Sequence, residues 1–139
     1  MDFTGAKAAL FCGASVLTYL RDEKPGLRWP GLWDLPGGGR EGEESAEQCF
    51  LRELHEEFGL RLAPGRLVWR RTFPSKVDAG RQSVFFGGWL HRDEIDRVQF
   101  GDEGRRWELM PVSAFLAHDR AVPDLQRRAG IVWDALSQG

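Results

Sequence analysis

The segment from Gly37 to Leu60 constrains the fold more than any other part of this chain of 139 residues. It opens with three consecutive glycines and continues into a stretch with the features of a helix. Ser45 and Gln48 have the spacing of a capping box, which marks a helix N-terminus. Gly59 stands where a glycine in the left-handed conformation commonly ends a helix. The sequence therefore predicts a glycine-rich turn followed directly by a helix between Ser45 and Gly59.

The two faces of this predicted helix differ in chemistry. At helical spacing, three carboxylates fall within an arc of about 100°: Glu53, Glu56 and Glu57. Three apolar residues lie on nearly the opposite side: Leu51, Leu54 and Phe58. One stripe is therefore expected to pack into a core while the other brings like charges together. Such pairs repel by roughly 0.2–0.5 kcal/mol each.

Clustered carboxylates directly after glycines are typical of a site for a hard divalent cation. Mg²⁺ takes oxygen ligands and is commonly shared between carboxylates and the phosphates of a substrate. Glycines let the backbone come close to such a centre. On the residues alone, a Mg²⁺-dependent phosphate enzyme and a plain solvated acidic helix face stand at even odds. Calcium is disfavoured because the alternating Asp and Asn of an EF-hand loop are missing.

The composition excludes several classes of protein. A content of 42% hydrophobic and 12% aromatic residues is typical of a folded domain and excludes a disordered chain. The net charge of −2 gives no reason to expect nucleic acid or an anionic membrane as partner. Two cysteines and three scattered histidines provide neither a disulfide framework nor zinc-binding spacing. No signal sequence or membrane-spanning run is evident, so we expect a cytoplasmic protein.

The rest of the chain predicts a single α/β domain over residues 1–139. Two strands are expected to form a hairpin that turns at Cys12-Gly13. Further strands are expected at Trp33–Leu35, 66–73, 82–90 and 105–112. Helices are expected at 111–118 and 122–138. The last carries apolar residues at helical spacing: Leu125, Ala129, Val132, Trp133 and Leu136. The segment 82–90 is too apolar to have a solvated face.

The acidic segment resembles the sequence motif of the Nudix hydrolases. Gly38 is followed after five residues by Glu44, and after seven more by RELHEEFGL at 52–60, so that all nine specified positions match. The preceding WDLPGG at 33–38 is similar as well. The resemblance implies the Nudix fold, an α/β/α sandwich around a mixed β-sheet. It also implies Mg²⁺, with Mn²⁺ as a substitute, and attack by water on a pyrophosphate bond.

The resemblance also implies roles for single residues of the motif. The implied side-chain metal ligands are Glu53, Glu56 and Glu57. The backbone carbonyl of Gly37 or Gly38 is a further implied ligand. Arg52 resembles the arginine that orients the glutamates, and its spacing to Glu56 allows an ion pair along the helix. Glu44 resembles a residue that anchors the loop and reaches a metal through water.

The general base is expected outside the motif. In many Nudix hydrolases a glutamate on a later loop helps to activate water or holds a further metal. Here Glu103 is the expected residue, Asp102 is its competitor, and a base within the motif is the third option. Both residues stand between Gly101 and Gly104, so each also fits an ordinary turn.

Substrate recognition is expected before the motif. Arg21 resembles an arginine that some members direct at phosphate. Trp29 and Trp33 offer stacking surfaces for a base, although Trp33 also fits a position in the core or the pocket wall. Asp34 offers an acceptor for the edge of a base, and Gly38 lets the substrate approach the backbone. Four basic residues either meet phosphates or form a solvated loop: Arg70, Arg71, Lys76 and Arg81.

The WDLPGG stretch is similar to the branch that hydrolyses nucleoside triphosphates, oxidised or ordinary, to monophosphates and pyrophosphate. That activity is the expected one. The alternatives are a pyrophosphatase of ADP-ribose, a nucleotide sugar or a dinucleoside polyphosphate, and a non-catalytic nucleotide-binding module. The intact set of motif side chains disfavours the binding module. The expected partner is a nucleotide, without nucleic acid or membrane, and a homodimer is open because Nudix domains often dimerise.

Overall fold

The computed structural model describes residues 2–76 and 78–138. Within them, the strands are β1 (Phe3–Cys12), β2 (Ser15–Leu20), β3 (Trp33–Asp34), β4 (Gly37–Gly39), β5 (Leu67–Pro74), β6 (Gln82–Trp89) and β7 (Arg106–Pro111). The helices are α1 (Ala46–Phe58), α2 (Arg92–Asp96), α3 (Val112–Ala117) and α4 (Pro123–Ser137), and a short 3₁₀ helix covers Pro64–Arg66. No helix in the described part is long and apolar enough to cross a membrane.

The strands form one mixed sheet with β1 at its centre. β1 runs parallel to β6 and antiparallel to β2 and β4. β5 extends the sheet antiparallel to β6, while β3 and β7 both pair antiparallel with β2. The parallel pairing of β1 with β6 needs a long crossover, and α1 lies within it.

Alternation along the central strands separates two apolar cores. Leu10 of β1 belongs to the first core, which contains the apolar residues of α1: Phe50, Leu54 and Phe58. Phe11 belongs to the second, which contains residues of α3 and α4: Phe115, Leu125, Ala129 and Val132. In β6, Val84 and Phe86 join the first core and Phe85 joins the second. Helices therefore cover both faces, and the predicted α/β/α sandwich around a mixed sheet is confirmed.

Helix α1 begins and ends where the sequence predicts. The Ser45 hydroxyl accepts a hydrogen bond from the Gln48 N–H at 3.1 Å, and the Gln48 side chain accepts one from the Ser45 N–H at 2.9 Å. Gly59 has φ 69° and donates its N–H to the His55 carbonyl. The apolar stripe is buried at Leu54 and half-buried at Leu51. The capping pattern and the stripe together fix how α1 lies on the sheet.

Two elements differ from the sequence predictions. The short helix α2 was not expected, and the glycine run forms strand β4 rather than a turn. The strand is possible because it lies very close to β1: a Cβ atom on Gly37 would lie 2.1 Å from the carbonyl oxygen of Ala6. On the other side, a Cβ atom on Gly5 would lie 2.5 Å from the carbonyl oxygen of Gly38. Glycine on both strands therefore allows this approach.

We expect Leu54→Ala to lower the free energy of unfolding by about 2–5 kcal/mol, because Leu54 is fully buried and its truncation leaves a cavity. The control is Val68→Ala, since Val68 is 59% exposed on the edge strand β5 and should change stability by less than about 0.5 kcal/mol. Urea unfolding followed by circular dichroism measures both. Equal losses in the two variants would contradict the assignment of α1 to the first core.

Candidate active site

A cavity of about 410 Å³ lies at the start of β1 and is lined from both helical layers. The α1 side contributes Glu53 and Glu57, and the α4 side contributes Asp124, Leu125 and Arg128. Between them lie residues of β1, of β2 and of the segment just after β2, and the polar ones are Thr4, Lys7, Tyr19 and Arg21. The volume falls within the range of small-molecule sites.

The Arg52 guanidinium joins the loop before α1 to the acidic face of α1. Its Nε donates to Glu44 at 2.6 Å, and its Nη1 donates to Glu53 at 2.9 Å and Glu56 at 3.0 Å. Its Nη2 donates to the carbonyl of Gly39 at 2.8 Å. The hydrogen bond to Glu44 is the main cause of an Arg52 pKa above its ordinary value. These contacts are those expected of an arginine that orients the glutamates, a role that stays a prediction.

Glu57 is buried, although the helical arrangement predicted an open acidic face. Its side chain is 6% exposed, and its Oε1 accepts the Gly37 N–H at 2.9 Å. Burial raises the pKa of Glu57 to about 8, against the opposing effects of Lys7 and the Gly37 N–H. The charge of Glu53 adds to the increase. The carboxylate therefore lies in a place where its negative charge is costly.

Glu53 lies against the second glycine of β4. A Cβ atom on Gly38 would lie 2.6 Å from the Glu53 carboxyl carbon, so a larger residue there would displace this carboxylate from its observed position. Burial raises the pKa of Glu53, and the charges of Glu56 and Glu103 raise it further, while Arg52 opposes the increase. Acidic groups thus gather at this end of the cavity beyond what the nearby cations compensate.

The three predicted metal ligands do not converge on one point. Among the described residues, no group of three or more histidine, cysteine or acidic side chains is arranged to hold an ion. Glu53 and Glu56 contact Arg52, and Glu57 contacts the backbone of β4. The chemistry of the donors still fits a hard divalent cation, because all three are carboxylates and two have raised pKa values through burial. A bound cation would offset the free-energy cost of burying these negative charges.

A second charge cluster is centred on buried Asp34, which is 2% exposed. Its oxygens accept hydrogen bonds from Arg21 at 2.8 Å and Tyr19 at 3.1 Å, and lie 3.1 Å from the Lys7 ammonium. Burial acts to raise the pKa of Asp34, but Lys7 and Arg21 together lower it. With the Leu35 N–H as a further donor at 2.6 Å, Asp34 holds two cations in place. In the structure Asp34 therefore binds protein side chains, and its expected role as an acceptor for the edge of a base stays a prediction.

Lys7 was missed from the sequence, since a lone lysine in a strand does not indicate what it faces. Its Nζ donates to the carbonyls of Leu35 at 3.0 Å and Gly37 at 3.2 Å. The Gly37 carbonyl, an expected metal ligand, therefore already accepts a hydrogen bond. Lys7 also lies near enough to Glu57 to lower its pKa, so it links the acidic and basic parts of the cavity.

The two tryptophans before the motif have different positions. Trp33 is 5% exposed, belongs to the second core and packs under the Arg106 guanidinium at 5.3 Å. It does not line the cavity and occupies the core position that the sequence left open as an alternative, while its role as a stacking surface stays a prediction. Trp29 lines the cavity and is 37% exposed. Trp29 is therefore the aromatic side chain placed to stack on a ligand.

Glu103, the expected general base, lines the same cavity as Glu53 and Glu57. Its loop is held against α1 by a hydrogen bond from the Gly101 N–H to the Glu57 carbonyl at 2.8 Å. Asp102 is exposed and lies outside the lining of the cavity. The position is compatible with the expected role of Glu103, which stays a prediction.

Of the four basic residues between 70 and 81, Lys76 lines the cavity. Arg70 pairs with Glu47 at 2.7 Å and Arg81 pairs with Asp2 at 2.7 Å, both on the surface. Arg128 lines the cavity too and was not singled out from the sequence. The sequence did contain one indication that Arg128 is buried. It stands three residues after Leu125, which places both on the same apolar stripe of α4.

Comparisons with known proteins agree with the fold and the motif. A model of the NUDIX domain matches residues 12–129. Diphosphoinositol polyphosphate phosphohydrolase 3-alpha of Mus musculus is 44% identical over 41 residues, 30% of this chain and 25% of that protein. A Bacillus subtilis protein provisionally named 8-oxo-dGTP diphosphatase is 41% identical over 56 residues, 40% of this chain and 36% of that protein. The chain thus matches about a quarter to a third of the length of these relatives.

Solved structures extend the similarity to nearly the whole chain. The MutT protein of Methanosarcina mazei Go1 has a TM-score of 0.75 at 20% identity, covering 99% of this chain and 97% of that one. A bifunctional NMN adenylyltransferase/ADP ribose pyrophosphatase of Francisella tularensis, in complex with AMP and a manganese ion, has a TM-score of 0.72 at 19% identity. It covers 97% of this chain and 42% of that one. At these identities the similarity shows a shared fold.

The raised pKa of Glu57 predicts a pH dependence of stability in the presence of a chelator. Below pH 4.5, the ordinary pKa of a glutamate, Glu57 is protonated in both the native and the unfolded state. Its contribution to the free energy of unfolding is then fully present. Between there and about pH 8 the native state keeps a proton that the unfolded chain releases, so stability falls as the pH rises. We expect a slope on the order of 1 kcal/mol per pH unit that Glu57→Gln removes. Urea unfolding from pH 5 to 9 measures the difference; parallel curves would contradict the burial of this carboxyl group.

Proposed function

Because the chain belongs to the Nudix family, we propose that it is a Mg²⁺-dependent pyrophosphohydrolase that converts a nucleoside triphosphate to its monophosphate and pyrophosphate. The observation that carries this proposal is the shared cavity, which is lined by acidic residues of α1 and by two cations, Lys7 of β1 and Arg21 just after β2. Carboxylates suit the metal that accompanies a polyphosphate, and fixed cations suit the polyphosphate itself.

The acidic part of the cavity is the proposed metal site. Glu53 and Glu57 line it, and Glu56 lies on the same helix, one turn after Arg52. Bound there, Mg²⁺ would act as a Lewis acid on phosphoryl oxygens and lower the pKa of a bound water. Arg52 would keep Glu53 and Glu56 oriented through its hydrogen bonds at 2.9 and 3.0 Å. Gly38 leaves the space that the Glu53 carboxylate occupies.

The basic part of the cavity is the proposed site for the phosphates. Lys7 lies on β1 and Arg21 directly follows the neighbouring strand β2, and both are held by the same carboxylate, Asp34. Since this carboxylate is buried and its pKa is lowered, it stays charged and keeps both cations in position. A guanidinium and an ammonium fixed in this way bind phosphate oxygens without a large loss of side-chain entropy.

Glu103 is the proposed general base. It is exposed at the cavity, so its carboxylate is accessible to water, and it lies close enough to Glu53 to affect its pKa. In this role Glu103 takes a proton from the water that attacks phosphorus, while the bond between phosphorus and the bridging oxygen breaks. The two products are the nucleoside monophosphate and pyrophosphate.

A substrate panel tests the proposal directly. Nucleoside triphosphates, oxidised triphosphates, ADP-ribose, dinucleoside polyphosphates and nucleotide sugars are each incubated with Mg²⁺ or with chelator, and the products are separated by chromatography. Release of a monophosphate and pyrophosphate only with Mg²⁺ supports the proposal. Two monophosphate-type products from ADP-ribose or a dinucleotide would replace it with the alternative substrate class. Metal-independent binding without turnover of any compound would indicate a binding module.

Glu57→Gln is expected to abolish most of the activity while sparing the fold, since it removes charge and hardly changes shape. Loss of a residue that merely supports a metal ligand costs about 10- to 100-fold. Loss of a ligand should therefore lower kcat by at least about 100-fold. The matched control is Glu47→Gln on the same helix, because Glu47 pairs with Arg70 at the surface. Equal activity in Glu57→Gln and wild type would remove Glu57 from the metal site.

Glu103→Gln is expected to lower kcat by about 100-fold or more, as removal of a general base does, with little change in KM. Asp102→Asn is the control and should keep kcat within about twofold of wild type. Steady-state kinetics at saturating Mg²⁺ measure both. An undiminished rate for Glu103→Gln would move the general base into the motif.

A further inference from the structure

The guanidinium of Arg128 lies on the α4 side of the cavity, in the helical layer opposite α1. The residue is 6% exposed and lines the cavity wall. Its Nη1 donates to the Ser83 hydroxyl at 3.1 Å and its Nη2 donates to the Pro74 carbonyl at 3.3 Å. The guanidinium packs 4.5 Å from the centre of the Phe73 ring. Its position is therefore fixed by the ends of β5 and β6.

Arg128 lacks the partners that a buried arginine normally has. Among the described residues, its Nε is a buried polar side-chain atom with no hydrogen-bond partner. Asp124, one turn earlier on α4, pairs instead with Lys76 at 3.9 Å and Arg127 at 3.4 Å. Burial lowers the pKa of Arg128, and the charge of Asp124 offsets this only in part. Each terminal nitrogen carries two N–H groups and makes one of the bonds described above, so an acceptor from a ligand in the cavity would complete the site.

The apolar part of the wall around Arg128 fits a planar base, and the charged residues that line the same space, Lys76 and Asp124, pair with each other. Val122 and Leu125 line the cavity beside it, and Trp29 supplies an exposed aromatic face to the same space. An aromatic surface and aliphatic walls favour a heterocycle, which stacks and buries apolar area. The cations suited to phosphates, Lys7 and Arg21, are held at β1 and β2 by Asp34. The two ends of the cavity therefore differ in the chemistry that they can bind.

We propose that Arg128 is a specificity-determining residue that selects between nucleotides by the group on the edge of the base next to its guanidinium. It favours a base with a keto oxygen there over a base with an amino group there. This inference rests on the proposed triphosphate hydrolysis and names the substrate class for it. A guanidinium has five N–H donors and no acceptor. It hydrogen-bonds a keto oxygen, whereas it faces an exocyclic amino group donor to donor.

Matched pairs of triphosphates test this selection. Inosine and adenosine triphosphates differ in the six-position group and the adjoining ring proton, and uridine and cytidine triphosphates form a second pair. We expect wild type to favour the keto member of at least one pair by about tenfold or more in kcat/KM, the discrimination typical of a good base contact. Arg128→Met should bring that ratio to within about threefold, mainly by loss of activity on the keto substrate.

The control is Arg127→Met, the neighbouring position on α4, because the Arg127 side chain is 59% exposed. It should keep the wild-type ratio. Arg128→Lys retains a charge without the guanidinium and should lose most of the preference; circular dichroism shows whether each variant is folded. Absence of preference in wild type, or equal losses on both substrates in the folded variants, would overturn the proposal.

Failure of the proposed function has a different result. If wild type hydrolyses no triphosphate, calorimetric binding of inosine and adenosine monophosphates replaces kinetics. Tighter binding of the inosine compound that disappears in Arg128→Met would support the role of Arg128 without the triphosphate reaction. Equal binding of the two monophosphates by wild type would overturn it.

Discussion

The close pairing of the glycine strand β4 with β1 is the contact on which the rest of the site depends. With no side chain at Gly37, the two backbones come close enough to pair. The Gly37 N–H then lies where it can donate to buried Glu57, and Gly38 leaves room for the Glu53 carboxylate. The strand thus connects the sheet to α1, and any larger residue would separate them. The glycine run positions acidic groups rather than acting as a flexible turn.

The cavity keeps opposite charges in adjacent but separate places. Arg52 holds the outer carboxylates of α1, while Asp34 holds the cations of β1 and β2. Glu57 lies between these two clusters and is the group least compensated, as its raised pKa shows. Buried charges are tolerated when each has partners, and among the described residues the hydrogen-bond partner of the Glu57 carboxylate is the Gly37 N–H.

Local patterns predicted the elements of the fold well, whereas contacts between distant segments stayed hidden. The caps of α1 and the strand β6, which is buried on both faces over residues 84–88, depend on neighbouring residues, and both were predicted. Trp29 and Trp33 are the same residue type and have similar neighbours in the sequence. Their different positions come from tertiary packing, which buries Trp33 under Arg106. The helical spacing of Arg128 indicates that it lies on a buried face. Periodicity does not show what a charged side chain does there, so its place in the cavity stayed hidden.

The parallel pairing of β1 with β6 has a consequence for the order in which the molecule forms. Ala6 pairs with Val84, and the wall of the cavity is completed only by α4 near the end of the chain. Contacts between such distant segments form slowly, because a long loop must close before they contribute. During synthesis, α1 and its carboxylates therefore emerge well before anything encloses them. The enclosed cavity therefore exists only once the segments from β1 to α4 have folded together.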